Sequence, residues 1–128
     1  MILLDTCALL FLEADSSALS PAAADAIRSP GTMVAVSAIS AFEVGQKMAR
    51  GQLQLPVAVD QWFSRMLRQH ALRELPLTGV IAARATLLPP IHRDPFDRLL
   101  IATAIEHQLT LLTPDRTIPQ YPGLKTLW

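Results

Sequence analysis

Short apolar runs alternate with stretches of helical periodicity along the whole chain, and this alternation limits the folds that the chain can adopt. The apolar runs have strand length and lie at residues 1–4, 33–36 and 110–113, with weaker candidates at 73–77 and 124–127. A continuous apolar run suits a strand that is buried on both faces, and strands separated by helices pair in parallel. The pattern predicts an α/β fold with a central, mostly parallel sheet of four to five strands and helices on both faces.

The helical segments carry recognisable start signals. Ser20 and Thr78 are suitable N-caps, and Asp94 precedes a proline at the first helical position. Ser40 with Glu43 three residues later has the spacing of a capping box. These signals and the periodicity predict six helices, at residues 7–12, 21–28, 41–50, 57–70, 79–87 and 95–107.

Composition indicates a globular protein. The 128 residues suit one domain, and 51% hydrophobic with 17% charged residues argues against disorder. The single cysteine, Cys7, excludes an internal disulfide and favours a reducing compartment. The longest apolar run is far shorter than a membrane span, and the N-terminus has no basic segment of the kind that precedes a signal peptide. We therefore expect a soluble cytoplasmic protein that does not contact the membrane.

The formal net charge is zero, which at first argues against a nucleic acid partner. The 11 basic and 11 acidic residues need not be evenly distributed, however. If five of the acids form one pocket, the rest of the chain has a net charge of +5. A basic rim around an acidic pocket that holds a cation suits a polyanionic substrate.

Four carboxylates fall at the predicted ends of strands and starts of helices. Asp5 follows the first apolar run, Asp115 follows the run at 110–113, and Glu43 and Asp97 lie near helix starts. In an open parallel sheet these positions converge on one crevice. Carboxylates gathered there repel one another unless a hard divalent cation lies between them. The leading hypothesis is therefore metal-assisted phosphodiester chemistry.

Each acid also has an ordinary structural explanation. Asp5 and Asp94 can cap the helices that follow them, Glu43 completes the capping box, and Asp115 lies in a turn beside a proline. Asp97 lies one turn into a helix whose cap is already supplied, so it is the strongest ligand candidate. The hypothesis depends on the set of acids and not on any single member.

Five segments of the sequence resemble PIN-domain ribonucleases and, more narrowly, VapC-type toxins of bacterial toxin-antitoxin pairs. They are LLDT at 3–6, ISAFEVGQK at 39–47, RDPFDRLLIATA at 93–104, LLTPDR at 111–116 and YPGLKTLW at 121–128. Each motif is weak alone, but their order and spacing together are specific.

The resemblance implies a single PIN domain over residues 1–128 with a three-layer α/β/α fold. It places the family's acidic quartet on Asp5, Glu43, Asp97 and Asp115, with Asp94 as an accessory acid. It also implies one or two Mg²⁺ or Mn²⁺ ions, endonucleolytic cleavage of RNA, and a homodimer inhibited by a cognate antitoxin. Cys7 departs from the pattern, because close relatives often carry histidine there.

In the expected mechanism, metal ions bound by Asp5, Asp97 and Asp115 polarise the scissile phosphate and activate a water, and Glu43 is a ligand or a base that holds this water. Other residues are expected to orient these groups or to contact phosphates. The orienting candidates are Thr6 and Thr113, and the phosphate-contacting candidates are Lys47, Arg93, Arg98 and Arg116. His92 is a further candidate for the rim of the pocket.

Two alternatives belong to other classes of function. In a phosphoaspartyl enzyme Asp5 would be the nucleophile, but such phosphatases usually have a second acid two residues later, where this chain has Cys7. The other alternative is a catalytically inactive PIN-like module that only engages an antitoxin or RNA. The complete acidic quartet favours the nuclease.

Overall fold

The computed structural model describes residues 1–128, with five strands, six α-helices and two short 3-10 turns. The strands are β1 (Ile2–Leu4), β2 (Val34–Ser37), β3 (Arg73–Leu75), β4 (Thr110–Leu112) and β5 (Lys125–Leu127). The helices are α1 (Thr6–Ala14), α2 (Pro21–Arg28), α3 (Ala38–Ala49), α4 (Val59–Gln69), α5 (Gly79–Leu87) and α6 (Pro95–Glu106). The 3-10 turns, Ser16–Ala18 and Ile118–Gln120, were not predicted from the sequence.

The strands form one five-stranded sheet in the order β3-β2-β1-β4-β5. Every neighbouring pair is parallel, and β1 at the centre pairs Leu3 with Ala35 on one side and Leu111 on the other. The expected parallel sheet with helices on both faces is confirmed. The order places the carboxyl ends of β1 and β4 side by side, which is where two of the candidate acids follow.

The two faces of the sheet are buried in separate hydrophobic clusters. Ile2 and Leu4 of β1 point into a cluster that includes side chains from α1, α2, α3 and α4. Leu3, between them, points into the opposite cluster with Ile101 and Ala104 of α6. Because successive strand side chains alternate between faces, a strand covered on both sides must be apolar throughout. This explains the unbroken apolar runs of the sequence and gives the fold its three layers.

Three of the six predicted helix starts are exact, and α1 and α4 begin within two residues of the predicted positions. Side chains of Ser20, Thr78 and Asp94 cap α2, α5 and α6 by accepting backbone N–H groups of the first turn. On α4, the predicted core residues Trp62, Phe63 and Met66 are buried. No helix has both the length and the apolar character needed to cross a membrane.

The predicted capping box is wrong. The third helix begins at Ala38 and not at residue 41, because Ser37 at the end of β2 caps it by accepting from the Ile39 N–H. Ser40 is then inside the helix, and Glu43 lies in its second turn. The structural explanation that the sequence offered for Glu43 is thereby removed.

Candidate active site

Asp5 is fixed by both the sheet and a helix. Its N–H donates to the carbonyl of Leu112 on β4 at 3.0 Å, and its Oδ1 accepts the N–H of Ala8 at 2.7 Å, so that it caps α1. Its side chain is only 4% exposed. Capping therefore occupies one carboxylate oxygen and fixes the direction in which the other points.

Glu43 lies in the second turn of α3, three residues after Ser40. The buried Thr6 hydroxyl donates to Ser40 Oγ at 3.1 Å, which joins the first turns of α1 and α3. The Oε1 atom of Glu43 is buried and has no hydrogen-bond partner. A buried acceptor without a partner is costly, so this oxygen is suited to a ligand or a water that the protein itself does not supply.

Asp97 and Asp115 meet at one nitrogen of His92. Asp97 Oδ2 is 3.2 Å from His92 Nε2, and Asp115 Oδ2 is 2.9 Å from the same atom. Asp97 comes from the first turn of α6, and Asp115 follows β4. Two acids that are 18 positions apart in the sequence are therefore brought together at the carboxyl edge of the sheet.

The tautomer of His92 follows from its other ring nitrogen. Nδ1 accepts the N–H of Asp94 at 3.1 Å, so in the neutral ring the hydrogen must be on Nε2, which faces the two carboxylates. The backbone N–H of His92 donates to the Tyr121 hydroxyl at 2.8 Å. The sequence predicted only a position at the rim of the pocket for His92. Its place two residues before the Asp94 cap was the sole signal that it contacts the site acids.

The electrostatics of the site are those of crowded carboxylates. The pKa of Asp5 is raised to about 6, chiefly by burial and also by the charges of Glu43 and Asp115, although hydrogen bonds from Thr113 and Ala8 lower it. The pKa of Asp97 is raised to about 7, chiefly by burial and also by the charges of Asp94, Glu43 and Asp5, although His92 lowers it.

Asp115 behaves differently. Partial burial raises its pKa, but hydrogen bonds from His92 and from the Thr117 N–H outweigh burial and lower it below 3.8. Asp115 is therefore the anionic member of the pair that His92 bridges. Its position is also fixed by the buried Thr113, whose Oγ1 accepts the Asp115 N–H at 3.1 Å.

The residues present fit a hard divalent cation. The carboxylate oxygens of Asp97 and Asp115 lie within 4.8 Å of each other, and both contact His92 Nε2. Asp5 and Glu43 lie outside this tight group but interact electrostatically with Asp97. Oxygen donors from several carboxylates, one of them without a partner, are the set that Mg²⁺ and Mn²⁺ prefer.

Asp94 and Arg98 have structural roles. Asp94 Oδ1 accepts the Phe96 N–H at 2.9 Å and caps α6. The Arg98 guanidinium donates to the carbonyl oxygens of Ala85 and Leu88 at the end of α5, and to those of Pro89 and His92 in the following loop. A guanidinium committed to four carbonyls is not available to a phosphate, so the expected RNA contact of Arg98 is not retained. The other predicted phosphate contacts, Lys47, Arg93 and Arg116, form no ion pair.

Comparison with known proteins agrees with this architecture. The sequence matches the family model described as the PIN domain over residues 2–124. The chain therefore belongs to the PIN domain family, as its motifs predicted. Over 130 aligned residues it is 37% identical to the Mycobacterium tuberculosis protein named Ribonuclease VapC22, covering 99% of this chain and 98% of that protein. The narrower resemblance to VapC-type proteins is thereby confirmed.

Two solved structures have the same fold at low sequence identity. A toxin-antitoxin complex from Klebsiella pneumoniae contains a chain with a TM-score of 0.66 and 22% identity, covering 100% of this chain and 97% of that chain. VapBC2 from Rickettsia felis, bound to a DNA fragment from its promoter, contains a chain with a TM-score of 0.75 and 15% identity, covering 99% and 98%. These similarities support the three-layer α/β/α PIN fold.

Proposed function

We propose that this protein is a metal-dependent endoribonuclease that acts in the cytoplasm as the toxin of a toxin-antitoxin pair. A relative that aligns with the whole chain is named a ribonuclease, and proteins of the same fold occur in toxin-antitoxin complexes. The observation that carries the proposal is the pairing of Asp97 and Asp115 at one nitrogen, together with the buried, unpartnered oxygen of Glu43. A structural cluster of acids would be expected to satisfy that oxygen internally.

The cation would be held by Asp5, Asp97 and Asp115. Bound there, Mg²⁺ or Mn²⁺ supplies Lewis-acid polarisation of the scissile phosphate and eases deprotonation of the attacking water. Glu43 uses its free oxygen to orient this water and to accept its proton. His92 donates from Nε2 to the Asp115 carboxylate and holds it in the direction that the site requires.

The remaining residues bind the RNA or orient the acids of the site. Thr6 fixes α1 against α3 through Ser40, and Thr113 fixes the turn that carries Asp115. Lys47, Arg93 and Arg116 contact phosphates of the RNA on either side of the cut, since none of them forms an ion pair. The cognate antitoxin inhibits the enzyme by covering the acidic pocket, and the active form is a homodimer.

Cleavage of RNA by matched variants tests this function. We expect the purified, antitoxin-free protein to cut RNA with Mg²⁺ or Mn²⁺, and to stop when the metal is chelated. Asp97→Asn should lose about 100-fold or more in rate, because loss of a group that merely orients a metal ligand already costs about 10- to 100-fold. Asp25→Asn, at an exposed carboxylate of α2, should cleave like the wild type.

Two outcomes would contradict the proposal. Full activity of Asp97→Asn would exclude this metal site, and no cleavage by a folded wild type that still binds antitoxin or RNA would favour the inactive binding module.

A further inference from the structure

Two phenylalanines next to the site acids form an aromatic pair in which Phe42 is exposed and Phe96 is half-buried. The ring centroids of Phe42 and Phe96 are 5.7 Å apart, with the planes inclined at 44°. Phe42 precedes Glu43 on α3 and is 60% exposed, and Phe96 precedes Asp97 on α6. Neither ring packs against the three clusters of the hydrophobic core. The core therefore does not explain why two aromatic side chains meet at the rim of the acidic site.

Phe96 of the pair lines a groove with more cations than acids. Two adjoining concavities, of about 130 and 550 Å³, are both lined by Phe96, Gln46, Arg50 and Asp94. The smaller concavity also contains Glu43 and Lys47, and the larger one contains Arg93. Neither the lysine nor either arginine forms an ion pair. The groove thus combines one aromatic ring and two acids with three cations that are free to bind an anion.

We propose that Phe42 and Phe96 form a stacking subsite for the nucleobase next to the cut, with Lys47, Arg50 and Arg93 holding the adjoining phosphates. The inference rests on the proposed ribonuclease function. Proteins that bind single strands combine a basic groove with aromatic rings on which bases stack, and every base has a face suited to this. A strand with one phosphate at the carboxylates would bring a neighbouring base to these rings.

A second copy of the chain or an antitoxin is a less suitable occupant. Lysine is depleted at protein interfaces, whereas phenylalanine and arginine are enriched there, so residue composition alone does not separate the occupants. The polyanion is favoured because Lys47, Arg50 and Arg93 have no ion pair and line the concavities that also contain Glu43 and Asp94. The arrangement fits a polyanion with aromatic bases better than it fits an apolar protein surface.

Binding of RNA by a chain that cannot cut it tests the subsite. In the Asp97→Asn background, the affinity for a short, fluorescently labelled single-stranded RNA of mixed sequence is measured by anisotropy. Phe42→Ala and Phe96→Ala should each weaken binding by roughly 5- to 150-fold, the range found for the loss of one stacked base. Phe42→Trp should retain affinity, whereas Phe42→Leu, which is apolar but has no aromatic face, should lose it.

Three controls separate stacking from other effects. Leu87→Ala removes an apolar side chain that is 82% exposed on α5 and should leave RNA binding unchanged. Arg50→Ala should lower the salt dependence of binding, which Phe42→Ala should not do. Double-stranded RNA, whose bases are already stacked, should not respond to either phenylalanine change.

Two results would overturn the subsite. One is equal RNA affinity of Phe42→Leu and wild-type Phe42. The other is unchanged RNA affinity of Phe42→Ala with a shift from dimer to monomer in light scattering, which would assign the rings to contact between protein chains. Cleavage by the otherwise unaltered protein is assayed beside these measurements. Its absence would contradict the ribonuclease function, whereas its presence beside either of these two results would contradict the stacking subsite alone.

Discussion

His92 and Asp115 are joined by a hydrogen bond of 2.9 Å between Nε2 and Oδ2. The same nitrogen lies 3.2 Å from Asp97 Oδ2, so one ring contacts two carboxylates from different parts of the chain. Because Nδ1 is occupied by the N–H of Asp94, the ring is a donor toward the site and not a metal ligand in this arrangement. His92 is therefore a positioning residue for the acids.

Replacing His92 tests this role. His92→Gln should raise the pKa of Asp115 toward its usual range and weaken Mn²⁺ binding by about 10- to 100-fold, as is usual when the partner of a ligand is lost. Carboxyl carbon NMR titration gives the first quantity, and calorimetry gives the second. His107→Gln changes an exposed histidine at the end of α6 and is the matched control. An unchanged pKa of Asp115 in His92→Gln would show that the hydrogen bond does not hold the acid.

Metal binding should stabilise the folded protein. A ligand that binds only the folded state raises the free energy of unfolding by about 2.7 kcal/mol at 100 times its dissociation constant. We expect Mn²⁺ to raise the midpoint of thermal unfolding of wild type and of Asp25→Asn. Asp97→Asn and Asp115→Asn should respond much less. Equal shifts in all four proteins would place the ion elsewhere on the molecule.

The metal-free protein should lose stability as the pH rises. The pKa values of Asp5 and Asp97 are raised to about 6 and about 7, against 3.8 in the unfolded chain, so the folded state binds these protons more tightly. Their contribution to the free energy of unfolding is complete below pH 3.8 and is lost as the pH passes 6 and 7. The lowered pKa of Asp115 changes the free energy of unfolding only below pH 3.8, outside the range in which Asp5 and Asp97 act.

Urea denaturation in the presence of a chelator measures this dependence. Between about pH 4 and pH 7 we expect a falling free energy of unfolding for wild type, a shallower fall for Asp97→Asn, and the wild-type slope for Asp25→Asn. Saturating Mn²⁺ should offset the loss at neutral pH, because the ion replaces the protons. A slope that is the same with and without Asp97 would contradict the raised pKa.

Arg98 should matter for stability more than for RNA binding. Arg98→Lys replaces a planar group that donates to four carbonyls with an ammonium that cannot reach all of them. Leaving carbonyls of this kind unsatisfied should lower the free energy of unfolding by about 2 kcal/mol or more, measured in urea. Arg116→Lys, at an exposed arginine, should cost almost nothing. Weaker RNA binding by Arg98→Lys at unchanged stability would restore the phosphate contact that the sequence suggested.

Cys7 reports on the charge of the site. Although Cys7 is exposed, partial desolvation of its thiol and the nearby carboxylates of Asp5 and Glu43 raise its pKa to about 11. The fraction of thiolate then falls by two powers of ten, and the greater nucleophilicity of a more basic thiolate recovers only part of this. Alkylation by iodoacetamide at neutral pH should be roughly tenfold slower than for an unperturbed cysteine. Mn²⁺ should accelerate it by neutralising the acids, and no acceleration would separate Cys7 from the metal site.

The sequence predicted the layers of the fold well because they follow from patterns that are local. Unbroken apolar runs predicted strands buried on both faces, and Ser20, Thr78 and Asp94 identified helix starts through backbone geometry. The capping box at Ser40 failed because Ser37, three residues earlier, offers the same chemistry and lies directly at the end of β2. Two equivalent candidate caps can be distinguished only when the end of the preceding strand is known.

The tertiary contacts of the site could not be predicted in the same way. His92 reaches an acid that lies 23 positions away, and Arg98 reaches carbonyls on the preceding helix and loop. His92 lies in the loop before α6 and Arg98 near the start of that helix, and polar residues at such positions more often face solvent. The direction of a long side chain depends on packing between α5, α6 and the loop joining them, which no periodicity encodes.

The hydrogen bond from the Asp5 N–H to the Leu112 carbonyl makes this acid a continuation of the central β1–β4 ladder. Its amide proton should therefore exchange with solvent only when the whole molecule opens, on the same slow timescale as the most protected strands. We therefore expect no local opening that frees the Asp5 backbone while the sheet stays folded. A cation arriving from solvent meets a carboxylate whose backbone is already hydrogen-bonded into the central sheet.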